Sequence, residues 1–167
     1  IMEIRKKEEG NVYDDDGALV TSGSILAQKI QQLLIFFKLI IPDMTPEEVQ
    51  YVDDALLKTY GNFGITHKNK SLLDPNDKKK YRKMPILSDV YSELEKMGAP
   101  ANRLCRLLTR YTTGSASSFN AQTNVNLNNK FVVLDVSDAQ KDFLPVAMFL
   151  ALDYVWDKCK ENRNYRT

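Results

Sequence analysis

The chain has 167 residues, 43% of them hydrophobic and 27% charged, with a net charge of +1. Such a length and balance suit a soluble globular domain, with at most an appendage, and give no support to a general polyanion-binding protein. Cys105 and Cys159 form no C-x-x-C pair, which argues against a disulfide framework. No signal peptide is visible, and the greasiest stretch, residues 33–41, is broken by Lys38 and far short of the roughly 20 apolar residues of a membrane span.

In chain order, residues 1–6 alternate Met2 and Ile4 against Glu3 and Arg5, the pattern of a short edge strand. Residues 8–23 read as a loop around Asp14, Asp15, Asp16 and Gly17. A calcium reading fails there: with Gly17 at loop position six, the first and last ligand positions fall on Val12 and Gly23. Ser24 is a helix cap, and Leu26, Ile30, Leu33, Leu34, Phe37 and Ile41 keep helical spacing. Ile25, Phe36 and Ile40 add a second apolar side, so this helix is expected to be deeply buried. Pro42 ends it. Thr45-Pro46-Glu47-Glu48 starts the next helix by reciprocal capping, with Val49, Val52, Leu56 and Tyr60 inward and Gly61 as its stop. The short link between the two suggests an antiparallel pair.

Residues 62–85 read as a loop with the single histidine, His67, and the cations Lys68, Lys70, Lys78, Lys79, Lys80, Arg82 and Lys83. A charge run is usually a solvated face; phosphate binding is the alternative. Tyr81 alone among those charges offers no stacking platform, and His67 has no sequence neighbour to share a metal. A third helix covers residues 87–97, with Leu87, Val90, Tyr91, Leu94 and Met97 inward. Pro100 opens a fourth to residue 111, with Leu104, Leu107, Leu108 and Tyr111 inward. Arg103, Arg106 and Arg110 read as its solvated face. Residues 112–129 are small and polar, and Gly114 with its serines fails the phosphate-loop pattern for want of a second Gly and a Lys. Val125 and Leu127 suggest a short strand before the Asn128-Asn129 turn.

Phe131, Val132, Val133 and Leu134 form a continuous apolar run suited to a strand covered on both faces. A polar tip, Asp135 to Asp138, and a helix from about residue 144 follow, together one βα unit. Ligands sit at such tips in open α/β sheets. Few segments could pair with this strand, and unpaired backbone is costly. The expectation is therefore a portion of a larger sheet protein.

Several stretches in order resemble one family. They are Thr45-Pro46-Glu47-Glu48, Leu87-Ser88-Asp89-Val90-Tyr91, Tyr111-Thr112-Thr113-Gly114-Ser115, Phe119-Asn120, Thr123-Asn124-Val125, Phe131-Val132-Val133-Leu134-Asp135-Val136 and Pro145-Val146-Ala147-Met148. The family is the large ATPase of type IV secretion and conjugative transfer systems, especially the forms on conjugative transposons of Gram-positive bacteria. The resemblance spans most of the chain, from Met2 to Arg163, and rests on order and spacing more than on any single motif.

The resemblance implies a RecA-like α/β core with a helical insertion, Walker A lying before the matched region and Walker B after it. Neither motif occurs in this sequence, so no nucleotide-binding residue carries over. The implied fold class is mainly α: a four- to five-helix insertion domain plus one βα unit left from the RecA-like core. The implied division is residues 1–23 as N-terminal segment, 24–112 as insertion domain, and 113–167 as loop, core strand (about 131–136) and helix (about 144–160). The parent hydrolyses ATP with Mg2+ to power apparatus assembly or DNA and protein transfer. This portion, holding no cofactor, supplies subunit or substrate contacts and no catalysis alone. Arg110, Thr113, Gly114, Ser115, Asn120, Thr123, Asn124, Asp135 and Asp138 are the candidate inter-subunit or nucleotide-proximal contacts; Lys78, Lys79, Lys80, Arg82 and Lys83 are the candidate basic patch, with DNA as a conceivable ligand. Expected partners are other subunits of the ATPase and transfer-apparatus proteins, without direct membrane insertion. The expected location is cytoplasmic, the parent lying at the inner face of the cell membrane. The alternative is a stand-alone helical interaction module, docking through the helix at residues 24–41.

Overall fold

A computed structural model describes residues 2–4, 24–77, 80–122 and 143–162. These residues are mainly helical. The helices are α1 (Ile25–Ile40), α2 (Pro46–Asn62), α3 (Leu87–Lys96), α4 (Asn102–Thr112) and α5 (Leu144–Asn162), with 3-10 turns at Asn69–Leu72, Ala99–Ala101 and Ser117–Phe119. The chain divides into two compact units, residues 1–4 with 24–124, and residues 5–23 with 125–167. The strands expected at residues 125–127 and 131–136, and so the βα unit, lie outside the described residues. So do most of the expected N-terminal edge strand and the Asp14–Gly17 turn.

Local chemistry sets the helix ends in the first unit. Ser24 Oγ accepts from the amide of Ala27 at 3.4 Å and starts α1. Thr45 and Glu48 form the expected reciprocal box: Glu48 N–H donates to Thr45 Oγ1 at 3.2 Å, and Thr45 N–H donates to Glu48 Oε2 at 2.9 Å, with Pro46 in the first turn. In α3 the amide of Ile86 donates to Asp89 Oδ2 at 2.7 Å. The fourth helix starts differently from the expectation. Pro100 sits in a 3-10 turn, and the α-helix begins at Asn102, two residues later.

The helices pack in chain order, α1 on α2, α2 on α3 and α3 on α4. Phe36, Phe37, Leu56, Tyr60, Leu87, Leu94, Leu104 and Leu108 are almost wholly buried and make the core. Glu93, itself buried, accepts from Asn62 Nδ2 at 2.8 Å and so joins the end of α2 to α3. Two expectations are corrected. Leu107 is 41% exposed, because four adjacent positions, Leu104, Cys105, Leu108 and Tyr111, already fill the inner face of α4. On α1, Ile35 and Leu39 are 54% and 38% exposed, so this helix lies at an edge and one side is open. Residues 2–4 are not a strand, yet Met2 and Ile4 are buried about Glu3 in the expected alternation. Their backbone is held by a side chain: buried Tyr60 donates its hydroxyl proton to the Met2 carbonyl at 2.5 Å. Burial pushes the Tyr60 phenol far above its ordinary range.

Arg103 is not part of a solvated face. Its guanidinium bonds both oxygens of Glu48, at 2.7 and 2.8 Å, and also Asp43 Oδ2. This joins α4, the start of α2 and the α1–α2 link. The Thr45 amide first, and then Arg103, hold the Glu48 carboxyl below its usual range. A depressed carboxylate stabilises the fold fully above its unfolded value of about 4.3 and ceases to do so as pH falls through the folded value.

Two predictions follow from these tethers. Thermal unfolding from pH 7 down to pH 3 is expected to show the Glu48→Gln variant less stable than wild type at neutral pH, with the gap closing on acidification. A constant gap would separate the carboxylate's charge from its role. Tyr60→Phe is expected to lower stability by about 1 kcal/mol in urea unfolding and to speed proteolysis within residues 2–4, since the Met2 carbonyl loses its donor.

Candidate functional site

The candidate contacts that fall on described residues gather where α4 ends. Arg110 is in its last turn, Thr113 closes it, and Gly114 and Ser115 follow. The chain then makes the Ser117–Phe119 turn and reaches Asn120. Arg110, Thr113 and Ser115 are exposed. Thr123, Asn124, Asp135 and Asp138 lie outside the described residues.

The α4 terminus has little freedom. The amides of Thr113 and Gly114 both donate to the Thr109 carbonyl, at 3.1 and 2.8 Å, and the Ala116 amide donates to the Arg110 carbonyl at 3.0 Å. These bonds satisfy carbonyls that a helix end leaves open. They also draw Gly114 against the preceding turn. A Cβ there would lie 2.9 Å from Arg110 Cα and 3.1 Å from the Arg110 and Thr109 carbonyl oxygens, so only glycine fits. Gly114 thus serves close packing of backbone rather than a phosphate.

Asn120 is half-buried and spends its amide on the protein. Its Oδ1 accepts from the Ser88 amide at 2.9 Å, and its Nδ2 donates to Ser88 Oγ at 2.5 Å and to the Thr112 carbonyl at 3.0 Å. One side chain therefore fixes the start of α3 to the end of α4. Phe119 packs near the Tyr111 ring, with centroids 6.3 Å apart, and Gln122 Nε2 donates to the Met84 carbonyl at 2.5 Å. The result is a braced turn presenting Thr113 and Ser115 to solvent.

The basic stretch divides. Lys78 and Lys79 lie outside the described residues, while Lys80 and Lys83 are exposed and Lys80 pairs with Asp77 at 3.4 Å. Arg82 does other work. Its amide donates to the Leu72 carbonyl at 2.9 Å, its Nε donates to the Ser71 carbonyl at 2.9 Å, and its guanidinium lies over Gly64. With the isolated antiparallel bridge Leu73–Tyr81, it closes the loop as a clamp. The same loop reaches back to α1: His67 Nδ1 and Ser24 Oγ are hydrogen-bonded at 3.1 Å, and Asn69 Oδ1 accepts from the Ile25 amide at 3.2 Å.

The sequence has no G-x-x-x-x-G-K-[ST] loop, and among the described residues no three His, Cys, Asp or Glu side chains form a metal-holding group. Among the described residues, no helix is long and apolar enough to cross a membrane.

A mainly helical unit with a braced interhelical turn is the class the described residues define. Its three-dimensional likeness is specific. The chain is similar to VirB4 of Thermoanaerobacter pseudethanolicus, with a TM-score of 0.73 and 29% identity over 87% of this chain and 55% of that one. The resemblance to the type IV secretion ATPases drawn from motif order is thereby shown in fold and sequence together. The chain spans about half the length of the VirB4 chain it matches, 55% of it. No protein-family profile matches the chain, and neither does any curated relative.

The bracket is testable by substitution. Asn120→Ala is expected to cost about 1–3 kcal/mol in urea unfolding, because it strands the Ser88 amide and the Thr112 carbonyl. Gly114→Ala is expected to destabilise as well, through the 2.9 Å approach to Arg110 Cα, and a neutral result would show that the turn relaxes freely.

Proposed function

We propose that this chain is a portion of a type IV secretion ATPase and works as its helical contact region. The observation that carries the reading is the match to VirB4 over 87% of the chain at 29% identity. In this reading the parent hydrolyses ATP, with Mg2+, to power assembly of the transfer apparatus or movement of DNA and protein. The parent is of the kind found on conjugative transposons of Gram-positive bacteria and works at the inner face of the cell membrane. This portion contains the helical insertion and one strand–helix unit of the RecA-like core, over residues 131–136 and 144–160.

The exposed groups at the end of α4, Arg110, Thr113 and Ser115, are the surface assigned to a neighbouring subunit. A braced turn supports that role, since contacts made by a rigid surface lose less entropy on binding. Asn120 and Gly114 serve this surface indirectly, by fixing its shape. Thr123, Asn124, Asp135 and Asp138 belong to the same assignment through the family resemblance. Lys78, Lys79, Lys80 and Lys83 are assigned to DNA, and Arg82 is withdrawn from that patch because its guanidinium clamps the loop.

The purified chain is expected to hydrolyse no ATP, because its sequence has neither Walker motif. Sustained turnover that co-purifies with the chain through every separation step would overturn the reading. For the basic patch, duplex DNA binding measured against salt concentration is the check. Replacing Lys78, Lys79, Lys80 and Lys83 with Gln is expected to reduce the salt slope by about one for each lysine that meets a phosphate. An unchanged slope would remove DNA from the patch.

A further inference from the structure

Charge in the first unit is sorted by position along the chain. From Leu39 to Leu57 every charged residue is an acid: Asp43, Glu47, Glu48, Asp53 and Asp54. From Lys96 to Leu134 every charged residue is a cation, and those on α4 are all arginine. Both α2 and α4 pack on α3, so one unit carries an acidic helix and a basic one. Surfaces that meet only water usually mix the two signs.

The two charges meet inside the chain where Arg103 binds Glu48 and Asp43. Arg106 and Arg110 lie further along α4, up to about 10 Å beyond Arg103, and both are exposed. Leu107, also exposed, stands one turn from Arg103 and from Arg110. On α2, Glu47 is exposed, and Asp53 and Asp54 are half-buried. Glu47 accepts from the Tyr51 hydroxyl and Asp54 from Gln50 Nε2 at 3.0 Å, both uncharged donors. Among the described residues, Arg106 and Asp53 have no partner. Arginine is enriched at protein interfaces and lysine depleted, and α4 carries the first without the second.

We infer that the exposed side of α4, centred on Arg106, docks on the acidic side of α2 in a second copy of this chain, head to tail. The inference rests on the reading of the α4 end as a contact to a neighbouring subunit, and it names the surface across that contact. Charge complementarity chooses the occupant: each copy presents the charge that the other's helix lacks. A symmetric contact of α4 on α4 would oppose like charges and is disfavoured. A contact between two different surfaces leaves one of each free, so it repeats around a ring or along a filament. Exposed ion pairs are individually weak and are screened by salt, so the contact is modest in the isolated chain and gains strength by repetition in an assembly.

The test is sedimentation of the chain over a range of concentrations, at low salt and at roughly 1 M salt, where the screening length falls to about 3 Å. Self-association at low salt that disappears at high salt is expected, and this series needs no variant. Arg106→Glu with Arg110→Glu, and separately Asp53→Lys with Asp54→Lys, are each expected to weaken the association about tenfold or more, since like charges then face each other. An equimolar mixture of the two variants is expected to restore it, because the reversed faces match again. Unchanged melting temperatures show that both variants fold. Association that survives the reversals, or a mixture that stays monomeric, overturns the pairing and leaves the contact role of the α4 end standing. A wild-type chain that is monomeric throughout overturns the pairing and counts against that contact role as well. A monomer that binds duplex DNA and loses it with Arg106→Glu also overturns the pairing, and assigns the face to nucleic acid.

Discussion

The Glu48 carboxylate is shared between two tasks that usually fall to different residues. It closes the first turn of α2 by accepting from the Thr45 amide, and it receives the Arg103 guanidinium on both oxygens. Both bonds come from one guanidinium nitrogen, Nη1, and charge-assisted bonds of this kind are short and strong. Asp43 takes the other arm of the same guanidinium, so the α1–α2 link is held in the same place. The burial of Glu48, only 8% exposed, raises the stakes. Removing Arg103 would leave a carboxylate away from water with a lost partner, which costs more than the pair itself contributes. The arrangement of α1, α2 and α4 therefore rests on one charged group in a nearly dry position.

What was legible in the sequence was local. Ser24 and Thr45-Pro46-Glu47-Glu48 announce helix starts because their side chains bond amides three residues away, and the structure shows each doing so. Pro100 misled by two residues, because a proline near a helix start suits a 3-10 turn as well as a first α-turn. Leu107 was misread for a different reason. Periodicity gives a face but not its width, and the inner face of α4 is filled without it. Arg103 could not be read at all. Its partners lie 55 and 60 residues away, and nothing in spacing marks which of Arg103, Arg106 and Arg110 meets an acid.

The candidate surface was legible in outline and not in role. Motif order gathered residues 110–120 into one stretch, and the structure places the described ones together at the end of α4. Yet residues that look alike in sequence part company there. Asn120 and Gly114 are consumed by the fold, one by three hydrogen bonds and the other by backbone approach, while Thr113 and Ser115 face water. The same division separates Arg82 from Lys80 and Lys83. A polar residue in a loop is equally available to its own backbone and to a partner, and only geometry says which has claimed it.

The contacts between the residue 66–71 loop and the first turn of α1 bear on the order of folding. The Ile25 amide is satisfied by Asn69, 44 residues further along the chain, and Ser24 is held by His67, 43 residues along. The first turn of α1 is therefore finished by groups that lie beyond α2 in the chain. Closing so long a loop carries an entropic cost that a local cap does not. During synthesis, α1 leaves the ribosome before the residue 66–71 loop that completes its first turn. Its completion waits on a segment made well after it, so α1 and the loop form one cooperative element.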